Sequence, residues 1–277
     1  MWNPADDRSN SPLVRVSRLV YLPPMPRLLL LSLLTLAAAD SPKALSQRLQ
    51  SWLAPPRSST RQLELTIRSG GVTTHWTAAQ ARRARDGGSE VLTVLLAPPA
   101  VRGTALLVRA PAGKPAQAWR VAVPLGRVRA AQPDEAFAAF ADTELAFADL
   151  GLVPPRDAAP KVLGADTLDG VAVVKLQETP AARGRVARIV TWLVPATGQP
   201  LKRELFDAAD RPWTVVLFGD VAPIHGVPTA QRVRVEDLQT GFGTEYRATR
   251  IAYDVALPDD LFDPAKLPQA ADAAVWK

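Results

Sequence analysis

From residue 62 onward, apolar and polar residues alternate with a period of two. In residues 62–68 (QLELTIR), Leu63, Leu65 and Ile67 point one way while Glu64, Thr66 and Arg68 point the other, the signature of a half-buried strand. Gly70-Gly71 turns the chain into residues 72–85, and Asp86-Gly87-Gly88 turns it again into EVLTVLLA. Candidate strands follow at 103–110, 117–123 and 126–131. After a break they resume at 159–166, 170–178, 184–195, 199–207, 211–221, 226–238 and 243–255. Asp169-Gly170, Thr197-Gly198 and Gly241-Phe242-Gly243 supply turns between them. Hairpins in succession specify one antiparallel sheet rather than βαβ units. The 26 prolines in 277 residues, about twice the usual share, also disfavour a helical bundle. The expected fold is mainly β, with about eleven strands and three helical pieces, a large curved sheet under a cover.

The helical pieces are legible from their spacing. Residues 41–53 place Leu45, Leu49, Trp52 and Leu53 at helical intervals, and Pro55-Pro56 stops the helix. Residues 133–150 put Phe137, Phe140, Leu145, Phe147 and Leu150 on roughly one side. Pro133 followed by Asp134 and Glu135 is a favourable helix start, so a second helix is predicted there. The stretch from Pro258 to Leu267 reads as one or two short turns.

Ahead of the strands, residues 28–39 (LLLLSLLTLAAA) form an apolar run of 12 residues behind Arg27. A membrane span needs about 20 residues. The run matches a secretory signal peptide with a cleavage site at Ala37-Ala38-Ala39. The 24 residues before Met25 hold Asp6, Asp7 and four prolines, an unsuitable lead, so Met25 is the expected start. The reading is therefore a leader over 1–39 and a single domain over 40–277. No cysteine follows the run, so no lipoprotein anchor is expected.

The net charge of +6 needs locating before it means anything. Residues 1–39 carry four arginines and two aspartates, which leaves 29 basic and 25 acidic residues, a net of +4 over the rest. No basic cluster is interleaved with stacking aromatics, so nucleic acid is not an expected partner. The Arg82-Arg83-Ala84-Arg85 run reads as a solvated strand end.

Catalytic signatures are missing. With no cysteine and only His75 and His225, thiol catalysis and cysteine-based metal sites are excluded. The sequence has no G-x-S-x-G elbow, no phosphate-cradling G-x-x-x-x-G-K and no G-x-G-x-x-G. His75 alternates within a strand and His225 precedes a turn glycine. Asp134/Glu135, Glu236/Asp237 and Asp259/Asp260 sit at element ends, where capping and solvation account for them. No catalytic residue, metal or cofactor is expected, and the chain is not read as an enzyme. What remains is apolar surface. Trp119, Trp192, Trp213, Phe206 and Phe218 enlarge strands that are already apolar, and such residues either pack a core or line a cavity.

Between about Val101 and Leu267 the sequence resembles the LolA-like outer-membrane lipoprotein-sorting proteins. The resemblance rests on Arg102-Gly103-Thr104-Ala105-Leu106, on Trp119 through Pro124 with Arg127-Val128-Arg129, and on the acidic-aromatic segment from Phe140 to Leu150. It continues in Trp192, in Gly198 through Glu204 with Phe206-Asp207, and in Leu257 through Phe262. Ala141 and Thr143 stand where the family usually has glycine and serine. The resemblance implies an incomplete antiparallel barrel around a hydrophobic cavity closed by helices. It implies a soluble periplasmic carrier of lipoprotein or other lipid acyl chains, acting as a monomer, loaded by an inner-membrane transporter and delivering toward the outer membrane. Within that frame Phe137, Phe140, Phe147 and Leu150 are the expected lid residues, and Trp119, Val121, Trp192 and Phe218 the expected wall. The alternative is a sensing module for lipid or envelope stress that works with an inner-membrane partner.

Overall fold

The computed structural model describes residues 40–276 except for 124, 152–157 and 182–184. The expected leader and its Met25 start lie outside the described residues. Among the described residues thirteen strands, one for each candidate segment and so more than the eleven or so counted from the sequence, form one antiparallel sheet. They are β1 (Ser59–Ser69), β2 (Val72–Arg85), β3 (Gly88–Ala97), β4 (Ala105–Ala110), β5 (Gln117–Val121) and β6 (Arg129–Ala131), then β7 (Lys161–Leu168), β8 (Val171–Glu178), β9 (Arg188–Leu193), β10 (Pro200–Phe206), β11 (Pro212–Ile224), β12 (Val227–Asp237) and β13 (Gly243–Tyr253). The spatial order is β6-β5-β4-β3-β2-β1-β13-β12-β11-β10-β9-β8-β7, an open sheet with β6 and β7 at its edges.

Local chemistry sets the register. Gly70 and Gly71 carry φ of 56° and 81°, the left-handed pair that a two-residue hairpin requires. From that turn β1 and β2 zip without interruption, from Ser69↔Val72 to Ser59↔Arg82. The alternation read from residues 62–68 then holds: Leu63, Leu65 and Ile67 are buried on the inner face.

The strand order has a topological consequence. β6 and β7 are consecutive in the chain but occupy opposite edges, so residues 132–160 must carry the chain from one edge to the other. The crossover places Ala136, Phe140, Leu145, Phe147 and Leu150 in the core of the inner face. It is not the helix predicted over 133–150. A 3₁₀ helix spans Pro133–Phe137, and a tight turn follows, closed by the Ala139↔Ala146 bridge. The spacing of its large apolar residues (137, 140, 145, 147, 150) departs from 3.6, and side chains compete for the backbone. Thr143 Oγ1 donates to the Phe140 carbonyl at 2.7 Å, and Asp149 Oδ2 accepts the Ala146 N–H at 2.8 Å. Ala141 has φ of 54° in the same turn, which ends any helical run.

The helix predicted at 41–53 is α1 (Pro42–Leu53), with Ser41 as N-cap and proline in its first turn. Leu45 and Leu49 pack on Leu176 of β8 and Leu193 of β9. Each such burial is worth about 2 kcal/mol. Polar anchors fix the position. Ser46 Oγ donates to Glu178 Oε1 at 2.9 Å, and Arg48 Nη1 donates to the Pro195 carbonyl at 2.8 Å. The β9–β10 turn comes so close that a Cβ on Gly198 would lie 2.4 Å from the Arg48 carbonyl carbon.

The C-terminal stretch, expected as short turns, forms 3₁₀ segments at Asp259–Phe262, Pro264–Asp272 and Ala274–Trp276. It covers the outer face of β2–β5, packing Leu261, Phe262 and Leu267 on Leu92, Val94 and Leu107.

Candidate ligand-binding cavity

α1 and the crossover do not fill the inner face between them. A cavity of about 340 Å³ remains, within the range of small-ligand sites. Its apolar wall comes from every layer. Trp52 and Leu53 stand at the end of α1, Phe137 and Leu150 belong to the crossover, and Val216 and Phe218 come from β11. Trp52 meets Phe218 edge to face, ring centroids 6.0 Å apart, so helix and sheet touch at the cavity rim.

Polar groups interrupt this wall. Arg61 and Arg82 enter from the inner face of β1 and β2, Arg203 from β10, Glu178 from the end of β8 and Asp149 from the crossover. Arg61 donates to Gln80 Oε1 and lies over the Tyr246 ring at 5.9 Å. Arg82 donates to the Leu53 carbonyl at 3.2 Å and to Ser89 Oγ at 3.1 Å. Burial, reinforced by the neighbouring Arg61 charge, pulls the Arg82 guanidinium down to about 10. Burial pushes the Asp149 carboxyl above its ordinary range, against the Ala146 N–H and the Arg203 charge. Burial likewise pushes up the Tyr246 hydroxyl. Trp52 Nε1 and Arg203 Nε are buried without an acceptor among the described residues.

The residues expected at the site fall into three places. Phe137, Leu150 and Phe218 line the cavity. Phe140 and Phe147 are buried in the crossover core, each 2% exposed, and serve as its packing rather than as cavity surface. Trp119, Val121 and Trp192 lie on the outer face. Trp119 and Val121 alternate with the inward-facing Ala118 of β5 and pack beneath the C-terminal cover. Trp192 donates its indole N–H to Asp166 at 3.1 Å, with the Lys202 ammonium 3.8 Å from its ring centre. The size of these aromatics does not fix which way they face; parity along the strand does.

The inward arginines belong to no motif, and Arg82 lies in the run expected as a solvated strand end. In the structure that run divides by parity. Arg82 turns into the cavity, while Arg83 turns outward to Glu90 at 2.6 Å. A signal for Arg61 was present, since it shares the parity of Leu63, Leu65 and Ile67.

An open antiparallel sheet folded over one lined cavity, with a helix and a crossover as cover, defines the LolA-like class of fold. Similar solved structures agree. A domain from Vibrio parahaemolyticus described as outer membrane lipoprotein-sorting is 20% identical with a TM-score of 0.72, over 81% of this chain and 97% of that one. A DUF1329 family protein from Desulfovibrio piger is 22% identical with a TM-score of 0.70, over 82% and 97%. A LolA superfamily protein from Nitrosomonas europaea is 15% identical with a TM-score of 0.63, over 81% and 98%. At these identities the likeness is one of fold. A family model whose description reads "Uncharacterized protein" matches residues 87–269, and the chain belongs to that family. Comparison with curated proteins finds no match.

Proposed function

We propose that this protein is a carrier that takes acyl chains of a lipid or lipoprotein into the cavity between α1, the crossover and the inner face of the sheet. In this reading it works as a soluble monomer in the periplasm, receives cargo from an inner-membrane transporter and delivers it toward the outer membrane. The observation that carries the proposal is the cavity itself, whose apolar wall includes Trp52, Phe137, Leu150 and Phe218. An acyl chain cannot cross water unaided, because each exposed methylene costs about 0.8 kcal/mol. A carrier must bury that surface and later release it, so part of the cover has to move. α1 suits this role. Two buried leucines and a few polar anchors hold it, whereas the crossover is built into the core.

The test is native mass spectrometry of the protein purified from a periplasmic extract. Wild type is expected to carry an acylated species that Phe218→Asp loses, because the new carboxylate would stand in the apolar wall. A folded wild-type protein that stays ligand-free, and takes up no added acyl chain, would sink the proposal.

A further inference from the structure

The inner face carries more positive charge than it balances. Arg61 stands opposite Gln80 in the β1–β2 pairing, and Arg82 lies two residues further along β2 on the same face, opposite Ser59. The two guanidiniums are therefore diagonal neighbours, close enough for like charges to oppose each other. Their hydrogen bonds go to neutral groups: the Gln80 amide oxygen, the Leu53 carbonyl and the Ser89 hydroxyl. Neither makes an ion pair with a carboxylate among the described residues. Across the cavity the buried Arg203 Nε and Trp52 indole N–H have no acceptor among the described residues. The carboxyls on the wall offset this only in part: three arginines face Asp149, whose carboxyl burial pushes above its ordinary range, and Glu178, which accepts from Ser46 under α1. A like-charged pair in a partly desolvated wall is costly unless the ligand supplies the counter-charge.

We infer that the cavity binds a single-chain amphiphile with an anionic group, a carboxylate or a phosphate, seated on Arg61 and Arg82 with its chain against Phe137, Val216 and Phe218. This rests on the acyl-carrier reading, narrows its cargo to one chain and adds the head group to it. Gln80 and Ser89 flank the two guanidiniums and position them. The volume fits one chain. A 150 Å³ cavity holds the six carbons of benzene, so about 340 Å³ holds on the order of 14 carbons.

Four probes test the inference by calorimetry at constant salt: myristate, tetradecyl phosphate, tetradecanol and inorganic phosphate. Myristate or tetradecyl phosphate should bind at least about tenfold tighter than tetradecanol, the gain of one charge-assisted hydrogen bond. The tighter of the two identifies the head group. Inorganic phosphate alone should not bind measurably, which separates an amphiphile site from a free-anion site. Arg82→Gln and Arg61→Gln should each erase most of the preference for the charged probe while leaving tetradecanol affinity within about twofold. The wild-type ratio tests the inference even if a variant misfolds. Equal affinity for myristate, tetradecyl phosphate and tetradecanol would overturn the anionic subsite and leave the carrier reading intact. Failure of all three chains to bind would overturn both. Tight binding of inorganic phosphate alone would overturn the amphiphile.

Discussion

The two halves of the sheet use the same strand geometry and treat their outer faces oppositely. On β2–β5 the outer face is a second core. Ala79, Ala81, Leu92, Val94, Ala105 and Leu107 lie under the C-terminal 3₁₀ segments, and β4 is buried on both sides over its first four residues. On β10–β13 the outer face meets water. There Asp220 pairs with Arg232 and Arg247 at 3.2 Å each, and Lys202 with Glu204 at 3.0 Å. Charge on the two outer faces differs in the same way. Glu90 is fully buried between Arg83 and Arg109, with the Phe262 ring 4.2 Å from the Arg83 guanidinium, while Asp220 is open to solvent. The lesson concerns mechanism. The first half is a wall held from both sides, and it bears Arg82, with Arg61 beside it on β1. On β10–β13 only the inner face is packed, and α1 rests beside them on β8 and β9, with Trp52 reaching Phe218 of β11. A cover that opens is best placed against the half that has least packing to lose.

Substitutions can break or sharpen this contrast. Phe262→Ala removes the aromatic plug of the outer core and should cost about 3–5 kcal/mol in urea unfolding. Leu217→Ala, at a residue 37% exposed on the opposite half, should stay within about 0.5 kcal/mol. Similar losses at both positions would mean that the halves are not built differently. Glu90→Gln leaves Arg83 and Arg109 facing each other, and a loss of about 2 kcal/mol is expected. That is less than the loss for a fully buried pair, because the Arg109 side chain is 36% exposed. Asp220→Asn breaks exposed pairs and should cost under 1 kcal/mol, less still at high salt. A small effect of opposite sign is expected in the crossover between the halves. Ala141→Gly should stabilise by about 0.5 kcal/mol, since relief of left-handed strain exceeds the added entropy of the unfolded chain. A destabilised Ala141→Gly protein would show that this turn is held by packing rather than strained by its φ.

The same turn explains why residues 133–150 do not form the helix their composition predicts. The segment 133–150 contains favourable helix formers and a good start, and nothing in its own spacing declares that it must span from β6 to β7. Only the edge-to-edge strand order imposes that path. Conversely, Ala141 occupies a position where the resembled family carries glycine, and its φ of 54° supplies the backbone reason. Phe137, Leu150 and Phe218 line the cavity. Trp119, Val121 and Trp192 do not, because a one-residue change of parity sends a side chain through the sheet.

Local chemistry was sufficient for the strands, the hairpin turns, α1 and the antiparallel class. Alternation with a period of two, paired glycines and proline stops act over a few residues and need no distant partner. Which face of each strand became the cavity, which became a second core, and which arginines were drawn inward was decided by the tertiary structure. Those outcomes depend on where α1, the crossover and the C-terminal segments come to rest. Their resting places follow from a strand order that joins β1 to β13 and leaves β6 and β7 at opposite edges.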